Sequence, residues 1–200
     1  MLSDPAGIYL QGFRAGFKRK IDTIMATQAV GTSYSVESED ETETAITLPA
    51  TQIVPETGTV GMTLEKIRSA LLIFNENDVD PEEMKWLALS PQAIYDLQGE
   101  PELTLAEQNA LRVINDGKIE RAFGFNLVMS NRIPISAGLI RSNFAWTRNG
   151  IGLGMIYDIK TELSKRADKN NNVQPWMSMD FGVTRLQEKL VVEVQGYEAA

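Results

Sequence analysis

One fifth of the chain, Ile156 to Gln195, reads IYDIKTELSKRADKNNNVQPWMSMDFGVTRLQEKLVVEVQ, and its period of two restricts the possible folds more than any other feature. Met155, Tyr157, Ile159, Thr161 and Leu163 alternate with Ile156, Asp158, Lys160, Glu162 and Ser164. After the ADKNNN turn, Met177, Met179, Phe181 and Val183 repeat the pattern, and Leu190, Val192 and Val194 do so again. Successive strand side chains point to opposite faces, so these three runs predict an antiparallel meander with one buried face. That face needs a cover.

The cover is expected from the other end of the chain. Asp4 and Pro5 form an N-cap followed by proline at the first helical position, and the apolar residues Tyr9, Phe13, Phe17, Ile21, Ile24 and Met25 recur at helical spacing. The reading is one helix from Ala6 to Val30, a rod of roughly 37 Å. Packed across the meander, it should set Phe13 and Phe17 near Tyr157, Phe181 and Val192. Arg14, Lys18, Arg19 and Lys20 read as the solvated side of this helix rather than as a nucleic-acid or membrane patch.

Between the two ends the texture changes. Glu37 to Glu43 holds five carboxylates in seven residues, which reads as an exposed acidic loop because clustered like charge resists burial. Short strands are expected at Ala45–Leu48 and Gln52–Val54. Thr63 caps a helix whose face is Leu64, Ile67, Leu71 and Phe74, and Trp86–Ser90 is a buried strand. Ser90 and Pro91 open a helix that stops at Gly99, Thr104 with Glu107 makes a capping box for another over Leu105–Asn115, and Phe123–Pro134 is a strand closed by proline. Helices alternating with short apolar strands imply an α/β or α+β lobe. The whole chain is therefore α+β.

Composition removes most chemistry. At 200 residues the chain is large enough to bury about 70% of its unfolded surface. It has no cysteine and no histidine, so disulfide staples, Ser-His and Cys-His nucleophile pairs and the commonest zinc ligand are all absent. A formal charge of −8 opposes phosphate-backbone binding. No apolar run approaches the length of a membrane span, and MLSDPAGIYL lacks the order of a secretory signal.

The remaining motifs read as structure. Asp78, Asp80, Glu82 and Glu83 could converge on a hard cation in a metal-dependent hydrolase, but Asn, Asp and Pro are turn formers at such a position. NGIGLG, Asn149 to Gly154, lacks the P-loop lysine and precedes a strand, so it reads as an entry to the sheet. Trp146 and Arg148 read as an edge-strand contact. The scattered methionines, Met62, Met84, Met129 and Met155 among them, read as core filler. No catalytic residue, cofactor or metal is expected.

Four segments together resemble the major capsid proteins of tailed bacteriophages with the Hong Kong 97-type fold: DPAGIYLQGFRAGFKRKIDTIM, MTLEKIRSALLIFNENDVDPEEMKWLALSPQAIYDL, GFNLVMSNRIP, and NGIGLG continuing to VVEVQ. The resemblance implies a structural subunit of a phage or prophage icosahedral shell enclosing double-stranded DNA. It implies three parts: residues 1–30 as the long spine helix of a peripheral domain lying on an antiparallel sheet, 31–142 as an α/β axial domain, and 143–200 as the peripheral strands. The partners implied are copies of the chain in hexamers and pentamers, with portal and scaffolding proteins, and no membrane or specific nucleic-acid sequence. Its location would be the virion capsid, and the host cytoplasm before assembly. Lys165, Arg166, Asp168, Lys169, Arg185 and Glu188, near the strand turns, are the expected intersubunit charge pairs. Family members carry an N-terminal arm and an extended hairpin before the spine helix, whereas this sequence begins almost at that helix. The expectation is a truncated form that does not close into a normal shell by itself. A monomeric binding module is the other alternative.

Overall fold

The computed structural model describes residues 5–36, 43–56, 58–99, 121–136 and 138–198. Helix α1 spans Pro5–Val30, followed by strands β1 (Ser33–Val36), β2 (Glu43–Ile46) and β3 (Ile53–Val54). Then come α2 (Leu64–Glu76), β4 (Lys85–Leu89) and α3 (Pro91–Gln98). The rest is β5 (Arg121–Ala122), β6 (Phe125–Met129), β7 (Ile140–Thr147), β8 (Ile151–Arg166), β9 (Asn172–Arg185) and β10 (Val191–Tyr197). The capping box at Thr104, and most of the acidic loop, lie outside the described residues.

The local signals are realised where their chemistry is unambiguous. The Thr63 hydroxyl accepts from the Lys66 N–H at the start of α2, the Ser90 hydroxyl accepts from the Ala93 N–H, and Gly99 closes α3. Phe123 and Gly124 turn the chain from β5 into β6 with φ of 48° and 82°, the two positive values that a two-residue hairpin turn needs. The Arg68 guanidinium lies 4.9 Å from the centre of the Phe123 ring.

Six strands form the body, in the order β3-β10-β7-β4-β6-β5. β10 pairs parallel with β3 and antiparallel with β7, while β4 pairs antiparallel with β7 and parallel with β6. Alternation decides the layers. Leu87, Leu89, Ala145, Val192 and Val194 face α2 and α3, packing with Ile67, Phe74, Leu97 and Phe125. Ala88 and Phe144 face the other way and meet Ala26 and Ala29 near the end of α1. Two alanines on the helix and one on the sheet let the backbones approach closely. On this side Trp86 and Trp146, directly opposite in register, stack with ring centres 6.2 Å apart.

This arrangement corrects the three-stranded meander. β10 does not extend the β8–β9 hairpin; it lies inside the six-stranded sheet between β3 and β7. The physical reason is visible in its own residues: Val191, Val192 and Val194 are all buried, so both faces of this strand require cover, which a half-wet meander cannot supply. Trp146 is corrected for the same reason, since β7 is an interior strand rather than an edge. The described body thus draws β3, β4, β5 and β6 from 31–142 and β10 from 143–200, and β7 runs across residue 142.

Candidate functional site

The β8–β9 hairpin is the most unusual part of the molecule. It is a ribbon of two strands, 16 and 14 residues long, hydrogen-bonded to each other and to no third strand among the described residues. A two-stranded ribbon is marginal in water and depends on what it packs against. Here the neighbour is α1, which runs beside β9.

The cover is one strand wide. Leu10, Phe17, Ile21 and Ile24 form the half-buried stripe of α1, and the alternate residues Pro175, Met177, Met179, Phe181 and Val183 of β9 are half-buried in turn. Register places Leu153 opposite Val183, Met155 opposite Phe181 and Leu163 opposite Pro175, so these β8 residues share the same apolar face. They are nonetheless exposed, as are Met84 and Met129, which corrects the reading of Met84, Met129 and Met155 as core filler, whereas Met62 is buried in the core. Half of the apolar face is covered within the chain. The other half is bare among the described residues.

Two register shifts, between Met155 and Tyr157 and between Tyr157 and Lys160, change which side chains share that face. Tyr157 pairs with Asp180 on the opposite side, and the Lys160 ammonium stands 4.2 Å from the centre of the Tyr157 ring. Thr161 and Leu163 then return to the apolar face. Strict alternation therefore misplaced Tyr157, and Val192 lies in the α2 core, so these two leave the group expected around Phe13, Phe17 and Phe181.

The charged candidates separate into two groups. Lys165 and Arg166 end β8, Asp168 and Lys169 lie in the single 3₁₀ turn at the tip, and Asn170 and Asn171 reverse the chain in the left-handed region. All of these side chains are exposed. Arg166 forks onto Asp168 within the turn, with Nε to Oδ1 at 3.0 Å and Nη2 to Oδ2 closer. That bond raises the Arg166 guanidinium above its ordinary value and lowers the Asp168 carboxyl below its own. Because both are fully solvated, the pair adds little to stability.

Arg185 is different, and its assignment to an intersubunit contact is corrected. It is 5% exposed at the root of the hairpin, where Nη1 donates to the carbonyls of Ala29 (3.2 Å) and Gly31 (2.7 Å) and Nη2 donates to that of Ile46 (3.1 Å). One guanidinium thus ties β9 to the end of α1 and to β2. Burial pushes it below its usual value, and nearby Glu188, half-buried three residues on, partly offsets that. An arginine ending an alternating strand gives no sequence signal for such a clamp.

Two further buried polar groups were equally invisible. The Lys66 ammonium donates to the carbonyls of Val60 (3.0 Å), Gly61 (2.9 Å) and Gln195 (3.0 Å), and burial lowers its pKa against the opposing pull of Glu56 and Asp96. Arg141 holds Glu198 through Nε (3.0 Å) and Nη2 (2.7 Å), while the Ser90 hydroxyl donates to the other carboxylate oxygen. Lys66 belongs to the body and Glu198 fastens the final residues to it.

Asp80 Oδ1 accepts from the Glu82 N–H (2.9 Å), the local bond of a turn, and among the described residues no group of three or more acidic side chains is placed to hold a metal ion. An open groove of about 760 Å³ beside α3 contains Asp96, but its carboxylate already accepts from Met62 N–H (3.2 Å) and Gln92 Nε2 (3.0 Å). No described helix is long and apolar enough to cross a membrane.

A mixed body with a long helix running under a projecting hairpin is the architecture of Hong Kong 97-type shell proteins, and the comparisons agree. A family model described as phage capsid protein matches residues 1–198, so the chain belongs to that family. A chain of Mycobacterium phage Che8 is similar with a TM-score of 0.70 at 14% identity, covering 93% of this chain and 61% of its own length. The capsid of cyanophage P-SCSP1u gives 0.69 at 15%, covering 100% and 68%, and the mature capsid of bacteriophage PhiM1 gives 0.66 at 12%, covering 98% and 65%. At such identities the likeness is one of fold. This chain spans between 61% and 68% of the length of those three. No curated protein matches it.

Proposed function

We propose that this chain is a structural, non-catalytic tile of an icosahedral phage or prophage shell that encloses double-stranded DNA, in contact with copies of itself in hexamers and pentamers. Portal and scaffolding proteins are its other proposed partners, and the host cytoplasm its location before assembly. The observation that carries this reading is the bare half of the hairpin face: Leu153, Met155 and Leu163 are exposed on a ribbon too thin to be stable alone. A tile in a lattice has neighbours to cover such a face.

Within that reading, α1 with the β8–β9 hairpin forms the peripheral element, and the six-stranded sheet with α2 and α3 the axial one. The division at 31–142 and 143–200 is then refined, with β7 and β10 counted in the axial sheet. Lys165, Arg166, Asp168 and Lys169 remain proposed contacts at the hairpin tip. A net charge of −8 suits a container that must release its DNA.

Sedimentation velocity of the purified chain over a concentration series tests the proposal. Concentration-dependent association is expected, with Leu153→Ser, Met155→Ser and Leu163→Ser together abolishing it at an unchanged thermal midpoint. A chain that stays monomeric at every concentration would refute the shell reading.

A further inference from the structure

Helix α1 has a further face that no other described residue covers. Tyr9, Gly12, Phe13, Gly16, Arg19 and Lys20 follow one another at spacings that place them on one side of the helix, a face that borders the stripe of Leu10, Phe17, Ile21 and Ile24 at Phe13 and turns from it towards solvent. Every one of the six is exposed, Tyr9 by 62% and Phe13 by 43%. Glycine weakens a helix interior, yet a Cβ at Gly12 or Gly16 would meet no atom within 4 Å. No described residue calls for a glycine at either position. Aromatic anchors beside residues without side chains form a shallow seat that another backbone can approach closely.

The charge of α1 selects the occupant. Arg14, Lys18, Arg19 and Lys20 against Asp22 give residues 5–30 a charge of +3, so the remainder of a chain of net −8 carries −11. An acidic turn matches that excess in sign: Glu76, Asp78, Asp80 and Glu82 are all exposed, with exposed Pro81 and Met84 as the apolar residues among them. Duplex DNA is the weaker candidate, because four cations offer few phosphate contacts against a negative whole, and exposed Tyr9 and Phe13 have no part in phosphate binding.

We infer that the Tyr9–Lys20 face of α1 docks the Glu76–Met84 turn of a second copy of this chain. The two patches differ, so the contact is heterologous and runs head to tail, which generates rings or open arrays rather than a closed pair. The inference rests on the shell reading, since it names one of the surfaces through which copies meet.

The test is a charge exchange on the full chain, read by sedimentation velocity at low and high salt. Arg19→Glu with Lys20→Glu, or Asp78→Lys with Asp80→Lys and Glu82→Lys, should each raise the concentration needed for association by about tenfold or more, and combining the two sets should restore it. Gly16→Leu supplies the steric arm: it favours the helix, so the thermal midpoint should hold or rise while association falls. Association of the native chain that ignores both sets and Gly16→Leu would overturn the inference and leave the shell reading intact; a native chain that never associates overturns both. If the α1 reversals weaken binding to a short DNA duplex and leave association unchanged, the face serves nucleic acid and the inference is wrong.

Discussion

The six-stranded body and the β8–β9 hairpin are built from similar residues and reach opposite ends of the burial scale. In the body, β10 buries Val191, Val192 and Val194 between two layers, and even its charged neighbour Lys66 has its ammonium bonded to three carbonyls. In the hairpin, strands roughly twice as long leave Ile156 78% and Trp176 49% exposed. The difference teaches that strand patterning reports that one face will be covered, without saying by which chain. The body supplies its own cover, and the hairpin supplies half.

The largest effect that would test this contrast lies in the body. Phe74 and Phe125 are fully buried with ring centres 5.9 Å apart, and Phe74→Ala should cost about 3–5 kcal/mol in urea unfolding, the range for emptying a packed aromatic site. A loss under 1 kcal/mol would mean that the body is far looser than its packing implies.

At the junction the expected cost is smaller. Arg185→Met would strand the carbonyls of Ala29, Gly31 and Ile46 and should lower stability by about 2–3 kcal/mol, with hydrogen exchange rising first at the end of α1 and in β2. A neutral outcome would return Arg185 to the list of surface contacts.

Lys66→Met should cost about 1–3 kcal/mol, and its pH dependence has a definite sign. Burial lowers the folded-state pKa of Lys66 from 10.5, so between that lowered value and 10.5 the unfolded chain binds more protons. Stability of the native chain, measured relative to Lys66→Met, should therefore rise as pH climbs through that window. Below it the difference should be flat, because the ammonium is charged in both states. A difference that falls over the same window would contradict the buried ammonium.

The smallest effect is predicted for the hairpin. Ile156→Ser or Leu163→Ser should change the stability of the isolated chain by no more than about 0.5 kcal/mol, since exposed positions without partners seldom matter more. A loss comparable to that of Phe74→Ala would show that the hairpin face is internal.

Much of the fold was legible because its signals are local. Thr63, Ser90, Pro91 and Gly99 set helix ends through their own capping chemistry, and α1 runs almost exactly where Pro5 and its apolar spacing place it. The site was half legible. The tip residues Lys165, Arg166, Asp168 and Lys169 are exposed as their turn predicts, whereas Arg185, with the same charge and a similar place at a strand end, is buried. The difference lies in which carbonyls surround it, and those come from positions about 140 to 155 residues away.

By itself, then, the sequence determined the elements, the lack of nucleophile-base chemistry and the long patterned ribbon, because capping, side-chain inventory and period are properties of neighbouring residues. Only the tertiary structure decided that β10 leaves the ribbon for the central sheet, that two bulges turn Tyr157 away from the apolar face, and that α1 covers one strand and not two. Each of those outcomes depends on which distant surface has an uncovered face of matching width, a quantity that exists only once the chain has packed.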